Sequence, residues 1–147
     1  MRLLIFHVDR FAYTVTEPSR SPLREPVVSP HYVLEEGLLA LASVERTDAP
    51  APERVAERAA DELLGLARQL GVEHAVVHPF AHLFGEPAPP RVALAVLDAV
   101  AARLAQAGMT VHRSPFGWFT RWDLQAKGHP LSRVGRIISA NGAQDAS

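Results

Sequence analysis

Two short segments concentrate the residues that could do chemistry. His78-Pro79-Phe80-Ala81-His82-Leu83 carries two imidazoles four positions apart. Ser114-Pro115-Phe116-Gly117-Trp118-Phe119-Thr120-Arg121-Trp122 runs on to Lys127-Gly128-His129-Pro130. Both crowd proline, glycine, histidine and aromatics together where a β-rich core would alternate apolar and polar residues, and such breaks concentrate at functional sites. The spacing of His78 and His82 is that of a helical zinc pair. Pro79, however, biases His78 away from helical geometry, and neither an HExxH glutamate nor any cysteine accompanies the pair. One histidine packed at a strand end and one exposed in a loop is the simpler expectation, and neither a metal nor a cofactor is expected. Lys127-Gly128-His129 sets a cation beside a close backbone approach, which suits a phosphate, but it lacks the glycines of a P-loop, and on local grounds a turn closing a strand is the default reading. Trp118, Phe119 and Trp122 could stack on a nucleobase. Alternation puts Trp118, Thr120 and Trp122 on one face, where core or dimer packing is the default use. No serine sits in a nucleophile-elbow pattern.

Composition narrows the field. A chain of 147 residues, 48% hydrophobic and 21% charged, suggests one domain with a real core. No apolar run approaches a membrane span, so no membrane partner is expected. The opening Met1-Arg2-Leu3-Leu4-Ile5-Phe6-His7 reads as a first strand and not as a signal peptide. The lack of cysteine removes disulfides, thiolate nucleophiles and cysteine-based zinc sites, and fits a cytoplasmic protein. The net charge of −1 gives no global attraction to nucleic acid. Between Met109 and Arg136, though, Arg113, Arg121, Lys127, Arg133 and Arg136 face Asp123 alone, so this stretch is either a local RNA-facing patch or a solvated rim.

The elements that must position these segments follow from periodicity. Arg2 to Asp9 reads as a strand, and Phe11 to Thr16 as its hairpin partner across an Asp9-Arg10 turn. Glu17 to Tyr32, with its prolines and serines, reads as a long loop, and Gly37 to Glu45 as a central strand. Pro52 to Leu70 is a helix with Val55, Ala56, Ala59, Ala60, Leu63, Leu64, Ala67 and Leu70 on one face, stopped by Gly71. Glu73 to His78 is a short strand. Pro89 and Pro90 open a second helix to about Ala107, and Met109 to Arg113 and Trp118 to Ala126 are strands. From Asn141 the small polar tail is expected to fray. The fold class is α+β: a mixed sheet with two helices packed on one face, as one domain over 1–140 and a flexible tail over 141–147.

Taken together, the His78-to-Leu83 segment, Pro115-Phe116-Gly117 with two aromatics after it, Lys127-Gly128-His129-Pro130-Leu131, and Ser43-Val44-Glu45 resemble the N-terminal editing domain of archaeal threonyl-tRNA synthetases. The resemblance runs to about Ile138 in the same order and spacing. It implies a fold shared with D-aminoacyl-tRNA deacylases, usually a homodimer, and hydrolysis of serine wrongly attached to threonine tRNA. A second sieve of this kind has a physical basis, because the one methyl separating serine from threonine discriminates by only about 1–3 kcal/mol. The resemblance further implies that the aminoacyl group lies against main-chain atoms at Val44 and Ala81, that His82 positions the terminal adenosine and its ester, and that the RNA's own 2′-hydroxyl helps to activate water. Pro79, Phe116, Gly117 and Phe119 are carried over as pocket walls, and Lys127 and His129 as further substrate contacts.

Two positions depart from the family pattern. Phe119-Thr120 stands where the pattern has Tyr-Lys, so the lysine assisting hydrolysis is replaced by Thr120. Arg133 stands where an acidic residue follows Lys-Gly-His-Pro-Leu. Two readings of function are therefore open: a deacylase acting on Ser-tRNA(Thr) or a D-aminoacyl-tRNA, and a non-catalytic binding module on the same fold. Either would take the aminoacylated 3′ end of a tRNA as partner, as a freestanding protein or as part of a threonyl-tRNA synthetase.

Overall fold

The computed structural model describes residues 1–146. In chain order the elements are β1 (Arg2–Pro18), β2 (His31–Leu34), β3 (Gly37–Ser43), α1 (Pro52–Leu70), β4 (His74–Pro79), α2 (Pro90–Gln106), β5 (Thr110–Arg113), β6 (Trp118–Ala126), β7 (Arg133–Ser139) and β8 (Gly142–Asp145). They form one mixed sheet in the order β5-β4-β3-β1-β7-β8, with β2 and β6 also pairing on β1. β3, β4 and β5 run parallel, joined through α1 and α2, and the remaining pairs are antiparallel. The α+β class with two helices on one sheet face is as the sequence predicts.

α1 has the bounds its periodicity implies. Pro52 starts it, and Gly71 ends it at φ 68°, a left-handed conformation that glycine adopts without a Cβ penalty. Its buried face, Val55, Ala56, Ala59, Ala60, Leu63, Leu66 and Ala67, packs with Val96, Leu97, Val100 and Leu104 of α2 against Leu3, Ile5, Leu38, Ala40, Ala75 and Val77 of the sheet. The small residues on α1 let the two helices approach closely over the strands. β3 is buried at every position because both of its faces are covered.

β1 organises the rest and departs from the expected hairpin. It is one long strand whose first half lies between β3 and β7 and whose second half pairs with β2 and β6. Asp9 is not a turn residue. The register on β6 passes from Val8↔Ala126 to Arg10↔Gln125, which makes Asp9 the extra residue of a β-bulge. A bulge shifts the two-residue parity. Leu4, Phe6 and Val8 face a second apolar cluster before it, and Phe11, Tyr13 and Val15 face the same cluster after it. The sheet therefore curls around Leu39, Leu41, Val76 and Trp122 while keeping one apolar lining.

Three other segments differ from expectation. Tyr32 belongs to β2, which pairs with Phe11 to Thr14. Arg133–Ser139 forms β7 beside the start of β1, where Gly135 and Arg136 obscure any clear alternation. Gly142–Asp145 forms the edge strand β8 on β7, since an antiparallel edge strand needs only backbone partners on one side and no apolar face. Ser147 lies outside the described residues. Among the described residues no helix is long and apolar enough to cross a membrane.

Candidate functional site

A cavity of about 270 Å³ opens where the ends of β3 and β4 meet the start of β6. Ala42, Ser43 and Val44 come from β3 and its exit, and His78 to His82 from β4 and the loop after it. Pro115 to Thr120 and Trp122 come from the turn before β6 and its first residues. The loops after His78 and before Trp118 thus converge, as a single site requires. Val44, Pro79, Ala81, His82, Phe116, Gly117, Phe119 and Thr120, eight of the residues singled out from the sequence, share this one cavity.

Local hydrogen bonds explain the convergence. Phe80 N–H donates to Ala42 C=O at 2.9 Å and Ala88 N–H to Val44 C=O at 3.0 Å, so the 80–88 loop is laced onto the end of β3. Pro79 ends β4, and His82 emerges into solvent beside the Phe80 ring, with their centroids 5.7 Å apart. Among the described residues no protein acceptor takes the Ala81 or His82 N–H. Phe84, two residues on, is 97% exposed at φ 68°, a strained conformation for a bulky residue.

The two histidines of the first segment have the separate fates that their spacing and Pro79 imply: His78 packed at a strand end, His82 exposed in a loop. His78 is 4% exposed and ringed by Phe11, Tyr13 and Trp122. Its Nδ1 lies 2.7 Å from Ser114 Oγ and its Nε2 3.4 Å from Thr120 Oγ1. Trp122 Nε1–H donates to the same Thr120 oxygen at 2.7 Å. Burial, assisted by the neighbouring His112, pushes the His78 pKa down to about 4, so the imidazole is neutral at physiological pH. Ser114, His78, Thr120 and Trp122 form one chain of neutral hydrogen bonds. Sequence reasoning missed this chain, though the shared face of Thr120 and Trp122 was its one visible sign. None of the residues lining the cavity is Asp, Glu, Lys or Arg, and among the described residues no group of three or more His, Asp or Glu side chains could hold a metal.

The third wall was also missed. Ser19 and Ser21, from the proline-rich segment after β1, line the cavity. That segment is clasped to the turn before β6. Ser19 N–H donates to Gly117 C=O at 2.9 Å, Glu25 N–H to Phe116 C=O at 3.0 Å, and Trp118 Nε1–H to Glu25 C=O at 2.8 Å. The Glu25 carboxylate accepts Phe116 N–H at 2.8 Å and pairs in bidentate fashion with Arg113, which also meets Asp98. Burial would raise the Glu25 pKa, but the Arg113 bonds and the Phe116 N–H more than offset it, and the carboxyl is held below its ordinary value. Gly117 sits at φ 91°, and a Cβ there would lie 2.6 Å from Leu23 C=O, so the turn and the strap fit only around a glycine.

Lys127 and His129, expected as substrate contacts, are not brought to this cavity. They lie past the far end of β6 and bond to neighbouring side chains. Lys127 Nζ donates to Asp9 Oδ1 at 2.5 Å. His129 Nδ1 accepts Leu131 N–H at 3.2 Å, which leaves its proton on Nε2, 2.8 Å from His7 Nδ1. The His7 proton is then on Nε2, 2.8 Å from Glu36 Oε1. The network assigns both tautomers. Arg133 opens β7 opposite Phe6 and is not among the cavity residues. Of the five cations between Met109 and Arg136, Arg113, Lys127 and Arg136 are matched to carboxylates, which favours a solvated rim over an RNA-facing patch along that stretch.

Residues 1–138 match the family model of the archaea-specific editing domain of threonyl-tRNA synthetase. The chain belongs to that family. It is 39% identical over 145 residues to the threonine–tRNA ligase of Thermococcus onnurineus (strain NA1), which covers 97% of this chain and 23% of that protein. It is 34% identical over 146 residues to the threonine–tRNA ligase of Methanopyrus kandleri and 36% identical over 148 residues to that of Pyrococcus horikoshii, covering 99% of this chain in each case. The chain spans about 23% of the length of these relatives. Membership of the editing-domain family implies interaction with tRNA and proofreading of mischarged tRNA.

Proposed function

We propose that this editing domain hydrolyses the ester between a mischarged amino acid, serine in the first place, and the terminal adenosine of threonine tRNA. The observation that carries the reading is the one cavity, free of Asp, Glu, Lys and Arg, that unites Val44, Ala81, His82 and the Pro115-to-Thr120 turn. Its lining offers backbone groups, hydroxyls and imidazoles but no cysteine and no elbow serine. In this reading water adds to the ester carbonyl, the bond from carbonyl carbon to ribose oxygen breaks, and the water proton ends on that ribose oxygen. The tRNA 2′-hydroxyl assists the attack, and His82 fixes the adenosine and ester so that the reacting atoms meet in a productive geometry. Thr120, held by Trp122 and His78, supplies a positioned neutral hydroxyl where the family pattern has an ammonium. The protein would act in the cytoplasm, as a homodimer, alone or within or beside a threonyl-tRNA synthetase.

One observation favours a second reading. With Thr120 in place of lysine, the cavity could bind an aminoacyl-adenosine without turning it over, as a recognition module. Single-turnover deacylation separates the two. We expect Ser-tRNA(Thr) to be hydrolysed well above the buffer rate by wild type, slightly slower by Thr120→Val, and not measurably by His82→Ala. A rate equal to buffer together with retained binding of a seryl-adenosine analogue selects the binding module. Parallel reactions with L-Thr- and D-aminoacyl-tRNA fix the preferred residue and its hand.

A further inference from the structure

We propose that the strap from Ser19 to Glu25 reads the phosphodiester backbone, with Arg20 and Arg24 engaging the unpaired 3′ end of the RNA whose aminoacyl-adenosine enters the cavity. The proposal rests on the editing reading above and extends it to a residue class the cavity lacks. A cavity with no arginine or lysine in its lining can hold an aminoacylated nucleoside but offers no fixed cation to a phosphate. The nucleotides leading to it are anionic, and attraction for them must come from the rim.

The strap is built to supply it. Its only carboxylate, Glu25, is turned inward and consumed by Arg113 and the Phe116 N–H. Its two cations are turned outward. Arg20 is exposed between Ser19 and Ser21, both of which line the cavity. Arg24 is exposed, and its guanidinium donates to Ser19 C=O at 3.3 Å, which places it directly against a cavity-wall residue with further N–H groups unspent. Among the described residues neither arginine pairs with a carboxylate, as is also true of Arg54 and Arg68 on α1, but Arg20 and Arg24 adjoin the cavity-lining Ser19 and Ser21. The strap is also held in place, by the clasp onto the Phe116–Trp118 turn and by the close fit at Gly117, so its cations project from a fixed rim. Arg121 is excluded as the reader because it alternates with Thr120 and lies on the other face of β6. A guanidinium fork matches a phosphate through two parallel N–H bonds, and two such contacts on a single strand contribute about 0.7 each to the salt dependence of binding.

The test compares two probes that differ in phosphate. One is a short RNA hairpin ending in the tRNA(Thr) 3′ overhang and carrying serine through a non-hydrolysable 3′-amide. The other is the same seryl-amido-adenosine as a free nucleoside. Wild type is compared with Arg20→Gln/Arg24→Gln and with a charge-matched control, Arg54→Gln/Arg68→Gln, on the exposed face of α1. We expect the strap variant to bind the RNA about tenfold more weakly at 50 mM salt, with the slope of log affinity against log salt reduced by about 1.4. Its affinity for the nucleoside should equal wild type, and the control should bind both probes within twofold of wild type. An unchanged RNA affinity and slope in the strap variant overturns the proposal, as does an equal loss in the control or an equal loss for the nucleoside. A wild-type protein that binds the RNA but not the nucleoside removes the editing reading, while the arginine comparison still decides this proposal.

Discussion

The two ends of β6 carry histidine networks of opposite character. At the cavity end His78 is buried, neutral and bonded only to hydroxyls, in a space whose lining holds no Asp, Glu, Lys or Arg. At the far end His7 and His129 are bonded to each other, His7 is bonded to Glu36, and Lys127 is bonded to Asp9. The first network borders a cavity, and the second links its side chains to one another. This difference, more than the residue types, separates a site from a fastening. Lys-Gly-His-Pro has the more conspicuous chemistry on paper, yet its lysine and histidine are spent on tying the turn after β6 to β1. His78 and Thr120, a histidine followed by proline and a threonine in place of a lysine, border open volume.

The largest effect that breaks the comparison comes from exchanging the two ends by mutation. His82→Ala should lower single-turnover deacylation by about 10³-fold, the scale of removing a positioned catalytic group, with little change in melting temperature because His82 is exposed. His129→Ala should do the reverse, lowering the melting temperature while leaving the deacylation rate of the folded protein unchanged. Loss of rate in His129→Ala at a temperature where it is fully folded would remove the division drawn here.

His78 gives the next effect and the sign can be worked out. Its folded pKa of about 4 lies below the ordinary 6.5, so between those values the unfolded chain holds the extra proton. Stability is therefore complete above about pH 6.5 and is lost as pH falls towards 4, by about 3 kcal/mol in all. The groups around the ring are Ser114, Thr120, Tyr13, Trp122 and His112. Urea unfolding at pH 7 and pH 5 should show this decline in wild type and a shallower one in His78→Leu, since the buried titrating ring is gone. Identical pH slopes in the two proteins would refute a neutral, buried His78.

Breaking the far network should cost less. His7→Ala strands a partly buried end of the relay, the His129 Nε2–H, and leaves Glu36 without its partner. The loss of hydrogen bonding there is worth about 1–3 kcal/mol, and His129→Ala should cost a similar amount. The double variant should cost little more than either single one, because the two rings share one bond. Additive losses would mean that the rings act independently.

Where the sequence was legible, the information was local. Pro52 and Gly71 bracket an unbroken helical period, so α1 was readable to the residue, and alternation from Trp118 to Ala126 gave β6. Asp9-Arg10 misled because a polar pair between two apolar runs looks the same whether it turns the chain or bulges it. Only the partner strand decides, through the parity change from Val8 to Phe11. β7 and β8 depend on backbone pairing with little apolar pattern of their own. The same distinction governs the site. Val44, Ala81, His82 and the Phe116–Gly117 turn, singled out through contiguous motifs that resemble the family, share the cavity. Ser19, Ser21 and Glu25 were hidden in a proline-rich stretch whose role exists only through bonds to residues about 90 positions away.

The smallest expected effect is the sharpest for function. Lys127 is the only lysine in the chain, and beside Gly128 its ammonium suits a phosphate. Here its ammonium is raised above its ordinary pKa by the hydrogen bond to Asp9, is set back from the cavity by the length of β6, and is open to solvent, where screening weakens the pair. Lys127→Gln should therefore leave deacylation of Ser-tRNA(Thr), and the salt slope of RNA binding, indistinguishable from wild type. A reduced slope would assign Lys127 to the RNA path and extend the binding surface along the whole of β6. An unchanged slope, set beside a reduced one in the Arg20/Arg24 variant, confines RNA contact to the strap end and leaves the Lys-Gly-His-Pro turn as a fastening of the fold.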